Sequence, residues 1–292
     1  MRWADVFTAG VVAGITTTLT LILKEHLFPR SLEEWKERRH LAATYRRYRD
    51  PIVLSARELA SRLVEIWTEF PTGYLDRDLW DVEDPFDLVN DTDNIHFQKY
   101  KLVSTVYRLC ALFGWIELYR REVVFLNAGH DRKNKRLEAC LHDVQSDLAD
   151  GSWNGRDDWD EWSDRLIFRE EQRAIGEAMI HGNGAERSII GYGGFCAAIW
   201  GGDAAFASAI RPALMFVTDT ADERDFRKLR FRELALHLIA LIAELHDPRL
   251  PEHLQRWREE TLNWRDADRR WLDREDLAAE DFANAASQPS GA

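Results

Sequence analysis

The chain has 292 residues, with 39 Lys and Arg against 51 Asp and Glu, which gives a formal net charge of -12. Hydrophobic residues make up 45% of the chain, and it contains 3 Cys, 8 Pro and 16 Gly but 12 Trp. This composition excludes collagen-like, disulfide-rich and wholly disordered chains, and the net acidity predicts no nucleic-acid partner. The length is sufficient for one large or two modest hydrophobic cores.

An apolar segment lies close to the N-terminus. No charged residue occurs between Asp5 and Lys24, a stretch with the sequence VFTAGVVAGITTTLTLIL. As a helix it would span about 27 Å, close to the hydrocarbon thickness of a bilayer. A cleaved signal peptide is disfavoured by the weak positive start and the missing cleavage site, and an in-plane helix would need a charged face. The segment therefore predicts a single transmembrane anchor, residues 1–25, with the lipid bilayer as a partner.

Basic residues predict the orientation of this anchor. Arg2 alone precedes the apolar segment, whereas five basic residues follow it closely: Lys24, Arg30, Lys36, Arg38 and Arg39. The positive-inside rule then places the N-terminus outside and the rest of the chain in the cytoplasm. Three widely spaced cysteines, Cys110, Cys140 and Cys196, agree with a reducing compartment. Gly10 and Gly14 form a G-x-x-x-G motif that predicts a homodimer through the membrane helix, although this spacing also arises by chance.

The remainder of the chain predicts an all-α fold, an irregular cytoplasmic helical bundle. A charged juxtamembrane helix, residues 26–50, either contacts anionic lipid or forms a solvated stalk. Asp50 and Pro51 predict a break between helices, with an N-cap followed by an N1 proline. A cytoplasmic helical domain, residues 51–248, would follow this break. Within it, helical spacing of apolar residues predicts helices over 93–126, 132–149, 166–180, 194–200, 203–217 and 222–245. The acidic stretch 76–93 lacks the calcium-binding pattern and predicts a solvated loop.

One helix carries the best catalytic candidates. Glu170, Glu177 and His181 share a helical face with Arg173, because they fall at positions i, i+7, i+11 and i+3. Two carboxylates and a histidine could bind a metal or share a proton, but one helix supplies too few ligands, and a solvated polar face is the alternative. The glycine-rich stretch 182–202 lacks a complete phosphate-binding motif and is more typical of tight turns. The sequence therefore predicts no metal and no cofactor.

A tryptophan stripe marks the C-terminal region. Trp257, Trp264 and Trp271 recur every seven residues within a predicted amphipathic helix, residues 249–276, whose other positions are mostly charged. Such a helix is stable only if its apolar stripe docks, either on the core of the same protein or on a partner. The final residues, 277–292, predict a disordered tail.

Two functional classes remain open from the sequence. The first is a membrane-tethered interaction or scaffold protein without catalytic activity, with an unidentified protein partner. The second is a membrane-bound enzyme or effector with a polar site around Glu170, Glu177 and His181. Because no complete catalytic set is present, the first class is favoured.

Overall fold

Eight α-helices dominate the part of the chain that a computed structural model describes, namely residues 28–68, 75, 80, 95–123, 132–149, 165–218, 227–245 and 252–262. The all-α prediction is confirmed there, since 88% of these residues are helical. The helices are α1 (Phe28–Thr68), α2 (Ile95–Val123), α3 (Arg132–Ala149), α4 (Arg169–Met179), α5 (Tyr192–Trp200), α6 (Ala204–Val217), α7 (Arg227–Leu245) and α8 (252–262). Two-residue strands β1 (Ile180–His181) and β2 (Ser188–Ile189) form an antiparallel hairpin between α4 and α5.

The helices surround one hydrophobic core. Helix α1 packs against α2 on one side and α7 on the other, α7 packs against α3, and α2 packs against α4 and α6. Gln172 connects α4 to α3. Its buried side-chain amide donates to the backbone oxygen of Gln145 in α3 (2.9 Å) and to that of Ile167 just before α4 (2.8 Å). Apolar residues spaced by three and four give each long helix its buried face.

Helix α2 lies at the centre of this packing. Its segment His96–Val123 is the one helix among the described residues with the length and mean hydropathy needed to cross a membrane. However, 83% of its apolar window is buried against other parts of the protein, as expected for the core helix of a bundle. The anchor predicted over residues 1–25 is a different segment, and it lies outside the described residues.

The helix break predicted at Asp50 and Pro51 is wrong. Helix α1 continues through Pro51 for 41 residues, although an internal proline removes a backbone donor and costs about 3 kcal/mol. Tyr48 and Ile52, one on each side of the proline, are 1% and 0% exposed, and the buried stripe continues to Leu59. Burial of this continuous apolar face therefore outweighs the local preference of proline for a helix start.

Candidate functional site

The structure does not bring the three catalytic candidates onto one helical face. Helix α4 ends at Met179, and His181 lies in strand β1, where it pairs with Ser188 of β2. The turn that follows contains Gly182 with φ +83° and Gly184 with φ +58°, so the chain reverses directly after His181, near the end of the predicted helix 166–180. His181 and Glu170 are both exposed. The predicted shared face is therefore wrong at its histidine.

Glu177 has a partner in α2. Its carboxylate accepts from Arg121 at 2.7 Å, and Arg121 also donates to Glu117 at 2.8 Å. Glu117 is 3% exposed in its side chain and receives a second guanidinium, that of Arg120, at 2.7 Å. Burial alone would raise the pKa of Glu117, but hydrogen bonds from Arg120 and Arg121 reverse the effect and hold it below its usual value. The polar face of α4 therefore joins an ion-pair cluster that ties α4 to α2.

We expect the two glutamates of this cluster to differ in their contribution to stability. Glu117→Ala should lower the free energy of unfolding by about 2 kcal/mol, because two charged hydrogen bonds at a buried acceptor are lost. Glu177→Ala should cost less than about 1 kcal/mol, because its side chain is 54% exposed. Urea unfolding of both variants in mild detergent, followed by circular dichroism, measures the difference. Equal losses would contradict this account of the cluster.

The tryptophan stripe is described only at its first member. Trp257 lies in α8, is half-buried and packs against the core, with the ring of His253 at 5.3 Å. Leu254 and Thr261 of the same helix are buried. Trp264 and Trp271 lie outside the described residues, as do Gly10 and Gly14 of the predicted dimer motif. At Trp257, the apolar stripe thus docks on the protein's own core.

The glycines of the stretch 182–202 include three at positive φ, Gly182, Gly184 and Gly202. These positions require glycine because other residues rarely adopt a left-handed backbone, which confirms the prediction of tight turns. Gly191 immediately precedes α5, whose N-terminus has no side-chain cap. Within the residues described, no cluster of His, Cys, Asp or Glu could hold a metal ion.

A cavity lies between α2 and α5, and the sequence did not indicate it. It has a volume of about 210 Å³ and is named here the α2–α5 cavity. Seven residues line it: His96, Lys99, Tyr100 and Val103 from α2, and Tyr192, Cys196 and Trp200 from α5. Each set has helical spacing, but the two helices lie far apart in the chain. Their pairing therefore could not be predicted from sequence periodicity alone.

The cavity contains cationic and aromatic groups. The Lys99 ammonium lies 5.0 Å from the centre of the Trp200 ring, within the range of a cation–π interaction. Tyr192 makes edge-to-face contacts with Tyr100 at 6.2 Å and with Tyr107 at 5.4 Å. Burial raises the pKa of the Cys196 thiol, and the opposing effects of the Tyr192 hydroxyl and of Lys99 are smaller. Cys196 is thus a protonated wall residue and not an activated nucleophile.

A second polar contact joins α3 to α7. Asp147 Oδ2 lies 2.6 Å from His237 Nδ1, and Arg230 donates to the Asp147 backbone oxygen at 2.7 Å. The hydrogen bond with Asp147 raises the pKa of His237 above its ordinary value, against the opposite effect of burial. Asp143 and Glu233 add to this rise through their negative charge. The pair stabilises the contact between the two helices most when His237 is charged.

This pair predicts a pH dependence of stability. Because the folded-state pKa of His237 is raised, its contribution is fully present below the unfolded-state pKa of about 6.5 and is lost as pH rises through the folded-state value. Wild-type protein in detergent should therefore lose unfolding free energy as pH rises from about 6.5 through the folded-state pKa of His237. His237→Gln should lack that part of the decline. If urea unfolding gave parallel pH profiles for both proteins, the account of this pair would be wrong.

Comparison with known proteins adds no identification. No protein-family model matches the chain, and neither a curated protein nor a solved structure is significantly similar to it. A proposal about function therefore depends on the residues and geometry described above.

Proposed function

We propose that this chain is a single-pass membrane protein whose cytoplasmic helical bundle binds another protein and has no catalytic activity. The observation that carries the proposal is the unbroken helix α1. From Leu41 onwards its inner face is buried in the bundle, whereas Trp35, Lys36, Arg39 and His40 are exposed. A helix that begins at Phe28, shortly after the apolar segment 6–23, supports a rigid connection between membrane and bundle.

The exposed end of α1 has the composition of a membrane-proximal segment. Trp35 is 54% exposed, and the Arg39 guanidinium lies 5.2 Å from its ring centre. Trp is enriched where membrane proteins meet the headgroup region, and Arg is attracted to anionic lipid. Trp35 lies about 10 Å along the helix from Phe28, which keeps this pair near the end that faces the proposed anchor.

The exposure of the polar residues on α4 supports an interaction protein over an enzyme. Glu170 faces solvent, Glu177 pairs with Arg121, and His181 lies beyond the helix. A catalytic acid and base must lie close together in one cleft, within reach of the same substrate, and these three residues do not form such a cleft. The alternative of a membrane-bound enzyme centred on them therefore has no supporting observation among the described residues.

Membrane attachment can be tested by extraction of membranes with alkaline carbonate. Wild-type protein should remain in the membrane pellet. The variant Val12→Asp/Leu19→Arg should move to the supernatant, because two charges in the hydrocarbon core oppose insertion. The control Thr16→Val/Thr18→Val, which increases apolar character, should stay in the pellet. Release of the wild type together with the charged variant would contradict the anchor.

The partner surface and the homodimer need separate tests. Because Trp257 packs internally, the proposed partner-facing residues are Trp264 and Trp271. Affinity capture from solubilised membranes should lose specific partners with Trp264→Ala/Trp271→Ala and retain them with the control Arg256→Ala, which changes an exposed residue of α8. Identical partner lists would contradict this surface.

Gly10→Ile/Gly14→Ile should abolish cross-linked dimers if the membrane helices associate through their small residues, and unchanged dimer yield would exclude that contact.

A further inference from the structure

The α2–α5 cavity combines an open mouth with a buried floor. Tyr100 at its mouth is 41% exposed, and His96 beside it is also exposed. At the floor, Val103 and Lys99 are each 1% exposed. A small molecule could therefore enter from solvent and lose most of its hydration inside, as ligands do in pockets formed between helices.

The lining indicates which chemistry the cavity would bind. Three aromatic side chains, Tyr100, Tyr192 and Trp200, supply flat apolar walls, and Val103 closes the floor. None of the lining residues among those described is acidic, whereas Lys99 supplies a cation within these walls. Arg62 lies nearby, with its guanidinium 6.0 Å from the Tyr100 ring centre, but Glu65 at 3.2 Å already compensates its charge. A cation bordered by apolar walls attracts an anion more strongly than the same cation in water.

We propose that the α2–α5 cavity binds a compact aromatic carboxylate, with its ring against the side chains of Tyr100, Tyr192 and Trp200 and its carboxylate at Lys99. The volume of about 210 Å³ suits a molecule of one ring and excludes cofactors of nucleotide size. Binding is non-covalent, because the Cys196 thiol is protonated and buried. This site is independent of the proposed membrane attachment and of the partner surface.

Fluorine NMR of small probes with the full-length protein in detergent tests the proposal. The probe 4-fluorobenzoate should bind at least about ten-fold more tightly than its neutral counterpart 4-fluorobenzamide, a difference of about 1.4 kcal/mol. Acetate, which has the charge but no ring, should fail to compete at equal concentration. Equal affinity for benzoate and benzamide, or full competition by acetate, would overturn the proposal.

Variants locate the bound probe. Lys99→Met keeps the length of the side chain and should remove the preference for the charged probe, whereas Val103→Phe should fill the floor and weaken both probes. The control Lys135→Met, on the exposed surface of α3, should leave the ten-fold preference intact. If Lys99→Met does not fold, photolysis of bound 4-azidobenzoate on wild-type protein should label peptides containing Tyr100, Tyr192 or Trp200. Labelling confined to other peptides would place the probe elsewhere and overturn the proposal.

Discussion

Replacing Gly176 by alanine is expected to lower the free energy of unfolding by about 2 kcal/mol, and replacement by valine should lower it further. A Cβ atom at this position would lie 2.7 Å from the backbone oxygen of Phe113 and 2.8 Å from Cβ of Glu117. Because the first contact is with backbone, relief requires α4 to move away from α2. That movement would also disturb the ion pairs of Glu117. Thermal unfolding of the purified protein in detergent measures the loss.

A second glycine provides the control for this experiment. Gly193 lies within α5, and a Cβ added there meets no atom within 4 Å. Gly193→Ala should therefore be neutral or slightly stabilising, since alanine has the higher helix propensity. If Gly176→Ala unfolded at the same temperature as Gly193→Ala, the close approach of α2 and α4 would be wrong.

Replacing Arg227 by methionine is expected to cost about 3 kcal/mol or more. Arg227 is 1% exposed, and its Nη1 donates to three backbone oxygens at the end of α6: Met215 at 2.9 Å, Phe216 at 3.3 Å and Thr218 at 2.6 Å. The last carbonyls of a helix have no partner within the helix, and a cation there also favours the helix dipole. Methionine fills similar space but leaves these buried acceptors without the guanidinium.

Two further substitutions distinguish the hydrogen bonds of Arg227 to the end of α6 from the effects of its charge and of its size. Arg227→Lys keeps the charge but cannot reach three oxygens with a planar group, so its loss should be intermediate. Arg211→Met changes an exposed arginine on α6 and should have little effect. Urea unfolding midpoints should rank in that order. A midpoint for Arg227→Met equal to that of Arg211→Met would show that Arg227 does not hold the end of α6.

Long helices could be predicted from the sequence, whereas the packing partners of those helices and the continuity of α1 through Pro51 could not. The segment 93–126 carries apolar residues at threes and fours, and the structure has α2 at Ile95–Val123. Pro51 satisfies a local rule for a helix start, but burial of Tyr48 and Ile52 on both sides keeps α1 intact. Burial of a continuous apolar face therefore outweighs the local preference of proline for a helix start.

The candidate site shows the same limit. Helical spacing placed His181 with Glu177, but the hairpin of β1 and β2 removes it from the helix. The α2–α5 cavity depends on two helices meeting from distant parts of the chain, and a single sequence carries no signal for that meeting. The lining residues are helically spaced within α2 and within α5, but this spacing indicates a shared cavity only once the two helices are known to be in contact.

The proposed topology, a tethered bundle with its N-terminus outside, is tested most directly by the accessibility of introduced cysteines in spheroplasts. Ala4→Cys, Ile15→Cys and Ser287→Cys are each made with Cys140→Ser, because Cys110 and Cys196 are buried. A membrane-impermeant maleimide should label position 4 in intact spheroplasts and position 287 only after permeabilisation, and it should not label position 15 in either condition. Labelling of position 15 in intact spheroplasts, or of position 287 before permeabilisation, would contradict the proposed topology.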